Sequence, residues 1–309
     1  MTTPYFVDAH HHLWDTAAHP RAWLTAPLPE LVCGDHQAIC HPYLASDFST
    51  DVDELTCVGS VVIEAGFDGD AESEAAWLIQ ESESFAWPRT VVAFADLSAP
   101  DISDRLGRLE RLDRVVGVRE ITAWHPDPVL SQSVGPSIMA QQSWIDGFGL
   151  LVATGLSFDL QIYPGQVDEA ASALTRHPEV KVAIEHALMP GDRSTDWYAA
   201  WLAGLRMIAE FPQVVIKISG LGMFDHTWTS ETIRPIFDGI VETFGPERCM
   251  LGSNFPVDSL YSSYATVWES FDELSTWLDP QEREQLFSGV AKTFYHLPEP
   301  PDPAGASLD

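Results

Sequence analysis

Three consecutive histidines, His10, His11 and His12, end an apolar run that begins at Phe6. If residues 6–10 form a strand, side chains alternate between its two faces, so His10 and His12 share one face and His11 takes the other. Two imidazoles held two residues apart at a strand end make a chelating pair for a borderline divalent metal such as zinc, once other strands bring further ligands to the same point. A lone His-x-His pair also occurs as ordinary satisfied residues, so the chemistry depends on partners elsewhere in the chain.

A regular alternation of elements is positioned to bring such partners. Residues 59–66, 91–95, 115–121, 157–162, 180–185, 214–219 and 249–252 read as buried strands and, with 6–10, make eight. Helical spacing follows each of them, at 47–56, 70–85, 102–112, 137–153, 166–176, 195–209, 230–244 and 259–277. Eight such units in 309 residues predict an α/β fold, a single (β/α)8 TIM barrel spanning 1–297. One further helix is predicted at 281–295, and the proline-rich residues 298–309 are expected to form a mobile tail. Residues 14–46 are too long and irregular for a simple connection, and Trp14, Trp23 and Tyr43 within them suit a lid over the barrel mouth.

Barrel enzymes carry their catalytic groups at the C-terminal ends of strands, so the residues closing each run matter most. His186 closes the sixth strand and puts a third imidazole on the rim with His10 and His12. Arg119 and Glu120 close the fourth, Glu64 lies near the end of the second, and Gln161 shares a face of the fifth with Asp159. Lys217 sits in the otherwise apolar seventh strand; a buried charge is costly unless paired, so it is predicted to point into the mouth toward an anion or a carboxylate. The eighth strand ends in Gly252, Ser253 and Asn254, where a hydrolase of this design would want a carboxylate. An amide cannot act as a base near neutral pH. Asp258 either reaches back as that base or caps a helix starting near Ser259. Asp8, one layer below His10, has two roles open to it, as acceptor for an imidazole or as partner of Lys217.

Composition narrows the partners. With 46 acidic residues against 16 basic ones and a formal charge of −30, the chain is a poor ligand for nucleic acid or an anionic membrane surface. Cys33, Cys40, Cys57 and Cys249 lack metal-site spacing and are too few for a disulfide framework, and the N-terminus lacks the pattern of a signal peptide. These features predict a soluble cytoplasmic protein acting on a small molecule, and they leave a homo-oligomer open.

Four segments carry a resemblance: V-D-A-H-H-H-L-W-D, I-E-H-A-L-M-P, K-I-S-G-L-G-M-F and M-L-G-S-N-F-P-V-D. In this order they resemble the amidohydrolase-2 family of the amidohydrolase superfamily, the branch with sugar-acid and pyrone-dicarboxylate lactonases and aminocarboxymuconate-semialdehyde decarboxylases. The resemblance implies a barrel hydrolase in which His10, His12 and His186 surround the reacting group, either as ligands of a divalent metal, zinc foremost, or, as in some lactonases of this branch, with the histidines and cationic residues polarising the carbonyl without metal; Asn254 and Asp258 are further catalytic candidates. The family's strand-eight aspartate would fall on Asn254, a departure that bears on both a fourth ligand and the water-activating base. Arg119, Gln161 and Lys217 would bind substrate. The expected reaction is opening of a small carboxylated lactone, with an anionic substrate of sugar-acid or aromatic-degradation type. The alternatives are metal-dependent, non-oxidative decarboxylation on the same scaffold and a barrel that binds without catalysis.

Overall fold

The computed structural model describes residues 4–298 apart from 54, 88, 134, 192 and 193, so the tail expected at 298–309 lies outside the described residues beyond Pro298. Eight parallel strands follow one another around a single sheet in sequence order. They are β1 (Phe6–His11), β2 (Cys57–Ile63), β3 (Arg89–Phe94), β4 (Val115–Ile121), β5 (Ser157–Gln161), β6 (Val182–Ile184), β7 (Val214–Ile218) and β8 (Cys249–Leu251). Helices alternate with them: α1 (Ala45–Val52), α2 (Ala71–Glu81), α3 (Ile102–Leu109), α4 (Gln142–Thr154), α5 (Val167–Arg176), α6 (Thr195–Ala209), α7 (Ser230–Phe244) and α8 (Tyr264–Leu274). This is the single (β/α)8 barrel that the alternation predicts. Its strands are mainly apolar because both faces are covered, one by helices and the other by the barrel interior, while His10, Arg119, Asp159 and Lys217 among them gather at the candidate site. Each helix turns one stripe inward; α3, for example, buries Ile102, Leu106 and Leu109.

Two helices start later than their sequence pattern suggests. Helix α8 begins at Tyr264 because the Ser263 side chain accepts from Thr266 N and caps it, while Val257–Leu260 forms a separate 3-10 turn. Asp258 lies inside that turn and caps no helix with its side chain. Helix α4 likewise begins at Gln142, after a 3-10 turn at Ile138–Ala140. The last expected helix is present as α9 (Pro280–Glu284), a π-helical turn at Gln285–Gly289 and α10 (Val290–Phe294). Val290, Ala291 and Phe294 pack on Val7, Ala9, Val61 and Ile63 and close the lower end of the interior. Among the described residues, no helix is long and apolar enough to cross a membrane.

The seam where the chain meets itself joins β1 to the end of β8. Asn254 N donates to His10 O at 2.7 Å, and His12 N donates to Phe255 O at 2.7 Å. Asp8 adds a staple: its Oδ1 accepts from Ser253 N at 2.9 Å and from His10 N at 3.1 Å, while Oδ2 accepts from the Tyr264 hydroxyl at 2.9 Å. Asp8 therefore neither orients an imidazole ring nor pairs with Lys217, and both roles open to it in the sequence are replaced by this one. Gly252 lets the strands approach, since a Cβ there would stand 2.6 Å from His10 Cβ and 2.9 Å from His10 N.

Replacing Asp8 with Ala should strand the buried Ser253 N–H and the Tyr264 hydroxyl, lowering stability by about 2–4 kcal/mol. Urea unfolding reads this directly. An unchanged midpoint would mean that the backbone bonds of the seam suffice without the staple.

Candidate active site

An irregularity in β1 between Asp8 and His11 shifts the alternation, so that His10 follows Ala9 onto the barrel interior, where the Nε2 atoms of His10 and His12 stand 3.2 Å apart. His11 faces away and stacks on Phe48 at 3.7 Å between ring centres. His12 Nδ1 is 2.9 Å from the Ile63 carbonyl, which can only accept, so the proton sits on Nδ1 and a lone pair on Nε2. His10 Nδ1 lies 3.2 Å from Glu185 Oε1 and 3.4 Å from Lys217 Nζ. Two arrangements satisfy this geometry. Either His10 donates to Glu185 and turns a second lone pair toward His12, or Lys217 donates to His10, whose Nε2–H then donates to His12.

His186 reaches the same point by a different route. Strand β6 ends at Ile184, and His186, Ala187, Leu188 and Met189 all have positive φ, between 48° and 59°. This left-handed turn breaks strand alternation, so the neighbouring side chains of Glu185 and His186 both enter the mouth. The His186 and His10 rings are centred 4.5 Å apart, and His186 Nδ1 lies 3.0 Å from Ser219 Oγ. The three histidines thus converge around His10.

Charged residues bind the interior together. Arg119 Nε donates to Glu64 Oε1 at 2.6 Å, and its Nη1 donates to Glu185 Oε2 at 3.3 Å. Lys217 Nζ donates to Asp159 Oδ2 at 2.5 Å and lies 3.8 Å from Glu185 Oε1. The Tyr295 hydroxyl, just past α10, completes the cluster by donating to Asp159 at 2.8 Å. Burial opposes the charge on Glu185, yet Arg119 and His10 overcome it and hold the carboxyl well below its usual range. Burial also pushes the imidazoles toward the neutral form, His12 to about 3 and His186 to about 4, with Arg119 adding to both shifts. Neutral imidazoles are the form that ligates metal.

The donor set suits a divalent ion. Two nitrogen ligands on tetrahedral zinc stand roughly 3.3 Å apart, close to the 3.2 Å between the two Nε2 atoms. Donor atoms of His10, Glu185 and His186 also lie within 4.8 Å of one another. The bonded network holds three carboxylates, Glu64, Asp159 and Glu185, against two cations, Arg119 and Lys217. That excess negative charge is relieved by a proton, which burial favours on Asp159, or by a bound cation.

A cavity of about 430 Å³ opens above these groups. His12, Arg119, Gln161, His186 and Asn254 line it, with Trp23 and Val32 from the segment after β1. Asn254 takes a left-handed backbone, φ 56°, which asparagine tolerates, and its buried Nδ2 makes no hydrogen bond of ordinary geometry among the described residues, although its side chain stands near enough to the Asp258 carboxyl to favour the ionised form. Lys217 meets a carboxylate as expected, Asp159, but it is fully buried beneath His10 and does not line the cavity as a substrate-binding residue would. Asp258 differs too. Its carboxyl lies against Gly222, where a Cβ would stand 3.1 Å from Oδ1, and it borders a small separate void beside Trp228. Glu185 was missed as a candidate because alternation puts it opposite His186; the one available signal was that each buried cation needs an acidic partner.

Fold and sequence together set the class: the chain is a hydrolase of barrel architecture. It belongs to the amidohydrolase family, whose model matches residues 7–297. A protein of Sinorhizobium fredii designated y4mH, itself uncharacterized, is 34% identical over 96% of this chain and 100% of its own length. An L-fucono-1,5-lactonase of Burkholderia multivorans is 26% identical over 96% of this chain and 97% of its own. A crystal structure of an amidohydrolase from Burkholderia multivorans with bound zinc superposes with a TM-score of 0.80, at 25% identity over 96% of this chain and 100% of that one.

Burial pushes the Asp258 carboxyl from 3.8 up to about 8, with Asn254 and the backbone of Gly222 and Gly220 opposing the shift. The folded chain therefore holds a proton that the unfolded chain releases, so this group lowers stability progressively as pH rises from about 4 to 8. Relative to Asp258→Asn, the native protein should lose stability between about pH 5 and 8 in urea titrations. A difference independent of pH would show that Asp258 is ionised throughout.

Proposed function

We propose that the protein opens a small carboxylated lactone of the sugar-acid or aromatic-degradation type by hydrolysis. The observation that carries this reading is the group of polar side chains in the cavity, where Arg119, Gln161, His12, His186 and the Asn254 amide face one space. The kinship with lactonases of the same family supports it.

Each residue has a definite task in this reading. His10, His12 and His186 would hold a divalent metal, zinc by the chemistry of the donors, with Glu185 close enough to join them or to fix the His10 ring. Such an ion supplies Lewis-acid polarisation of a carbonyl. Arg119 keeps N–H groups beyond those committed to Glu64 and Glu185, and with Gln161 it binds the substrate carboxylate. Asn254 Nδ2 donates to the oxygen that gains charge during attack, a donor's task in place of the base's task expected of a carboxylate. Lys217 acts from below by positioning His10, and Asp258 stands outside the cavity wall.

Residues 14–46 serve as the lid. Trp23, Val32 and Cys33 face the cavity, and the buried Arg21–Glu74 pair, 2.6 Å apart, ties the segment to α2. Four free cysteines suit the reducing cytoplasm.

A pH-stat assay over a panel of carboxylated lactones, with metal content measured on the same samples, tests the reading. Base should be consumed in step with ring opening. Asn254→Ala should lower kcat by about 10²- to 10³-fold, and His10→Ala should lose bound zinc. Release of CO2 without uptake of base would replace hydrolysis with decarboxylation, and absence of any turnover would favour a binding barrel.

A further inference from the structure

A second cavity, of about 660 Å³, opens beside the first. The two share a partition made of Val32, from the segment after β1, and Met223, from the loop after β7. Both residues are buried and apolar, and methionine's unbranched chain lets such a partition yield to a ligand. Beyond it the wall is built from rings: Trp124, Tyr163, Trp197 and Phe224.

The buried polar side chains of this wall are already committed, and the imidazoles of His125 and His226 stand at its more exposed edge. The Tyr163 hydroxyl donates to Leu130 O at 2.8 Å. Gln166 accepts from Trp124 N at 3.0 Å and Tyr163 N at 3.1 Å, and it donates to Thr122 O at 2.8 Å. These are the two buried polar side chains of the wall, and neither retains an obvious partner for a hydroxyl-rich guest. Against the inner part of this wall, between Tyr163, Gln166 and Phe224, a sugar ring would give up water without recovering its hydrogen bonds, whereas a flat apolar ring stacks on the aromatic faces. The first cavity differs in carrying a buried arginine and the amides of Gln161 and Asn254.

We infer that the second cavity is a specificity subsite for a flat apolar substituent, an aryl group foremost, borne by the substrate whose carboxylated ring sits in the first cavity. The inference rests on the lactonase reading for the identity of that ring. It separates this protein from an enzyme selecting for a bare sugar-acid lactone.

The test compares a carboxylated δ-lactone with the same ring bearing a phenyl group, and it adds the two corresponding lactams, which resist hydrolysis, as ligands for calorimetry. Trp124→Ala removes one aromatic wall. Ala200→Trp, on the exposed face of α6 at the cavity edge, fills the space without touching the core. The native protein should bind the phenyl lactam at least about tenfold more tightly than the plain one. Both variants should erase that preference and raise KM for the phenyl lactone alone, with kcat and the plain lactone's constants held within about twofold. A phenyl group that adds no affinity to the native protein, or a preference that survives both substitutions, would overturn the subsite. If neither lactone is turned over while lactam binding still follows the phenyl group and both variants, the subsite stands and the lactonase reading alone falls.

Discussion

Glu185 is the charge on which the barrel mouth is built. An ion taken out of water costs several kcal/mol unless partners replace its hydration, and this carboxylate is completely buried. Arg119 supplies one partner and His10 another, with Lys217 3.8 Å away. Each cation in turn reaches a second carboxylate, Glu64 for Arg119 and Asp159 for Lys217. The result is a line of alternating charge through β2, β4, β5, β6 and β7, in which removing one member strands its neighbour. His10 is held at the centre of that line, and the chelating pair it forms with His12 inherits its position from it.

The same network explains why a cation belongs there on physical grounds. Three carboxylates against two cations leave the interior short of positive charge, and the apolar surroundings make any imbalance expensive. A proton on Asp159 and a divalent ion between the imidazoles are two solutions to one electrostatic demand. A divalent ion bound there would be linked to the protonation of a residue that does not touch it.

Closure of the barrel and assembly of the mouth are also a single event. The bonds joining β1 to the end of β8 run through His10 O, Asn254 N, His12 N and the Asp8 carboxylate. Residues that face the cavity thus take their backbone positions from the seam. A barrel left open at this point would have neither the histidine pair in register nor the Asn254 amide aimed into the cavity.

The strands were legible in the sequence because parallel strands buried on both faces read as continuous apolar runs, and His10 with His12 was legible because strand alternation has a period of two. Helix starts near Asp258 and Ser137 were less so, since several local caps compete there and Ser263 prevailed for α8. What only the tertiary structure decided lies in contacts between distant segments. Asp8 turned to Ser253 and Tyr264, and Lys217 turned to Asp159. Asp258 faced Gly222 and not the cavity, although nothing near it in the chain marks that choice. Glu185 joined His186 through a left-handed turn that overrides alternation. Periodicity fixes which face of an element a residue occupies, but a buried charge is settled by whichever partner the closed barrel brings within reach, and that is a property of all eight strands at once.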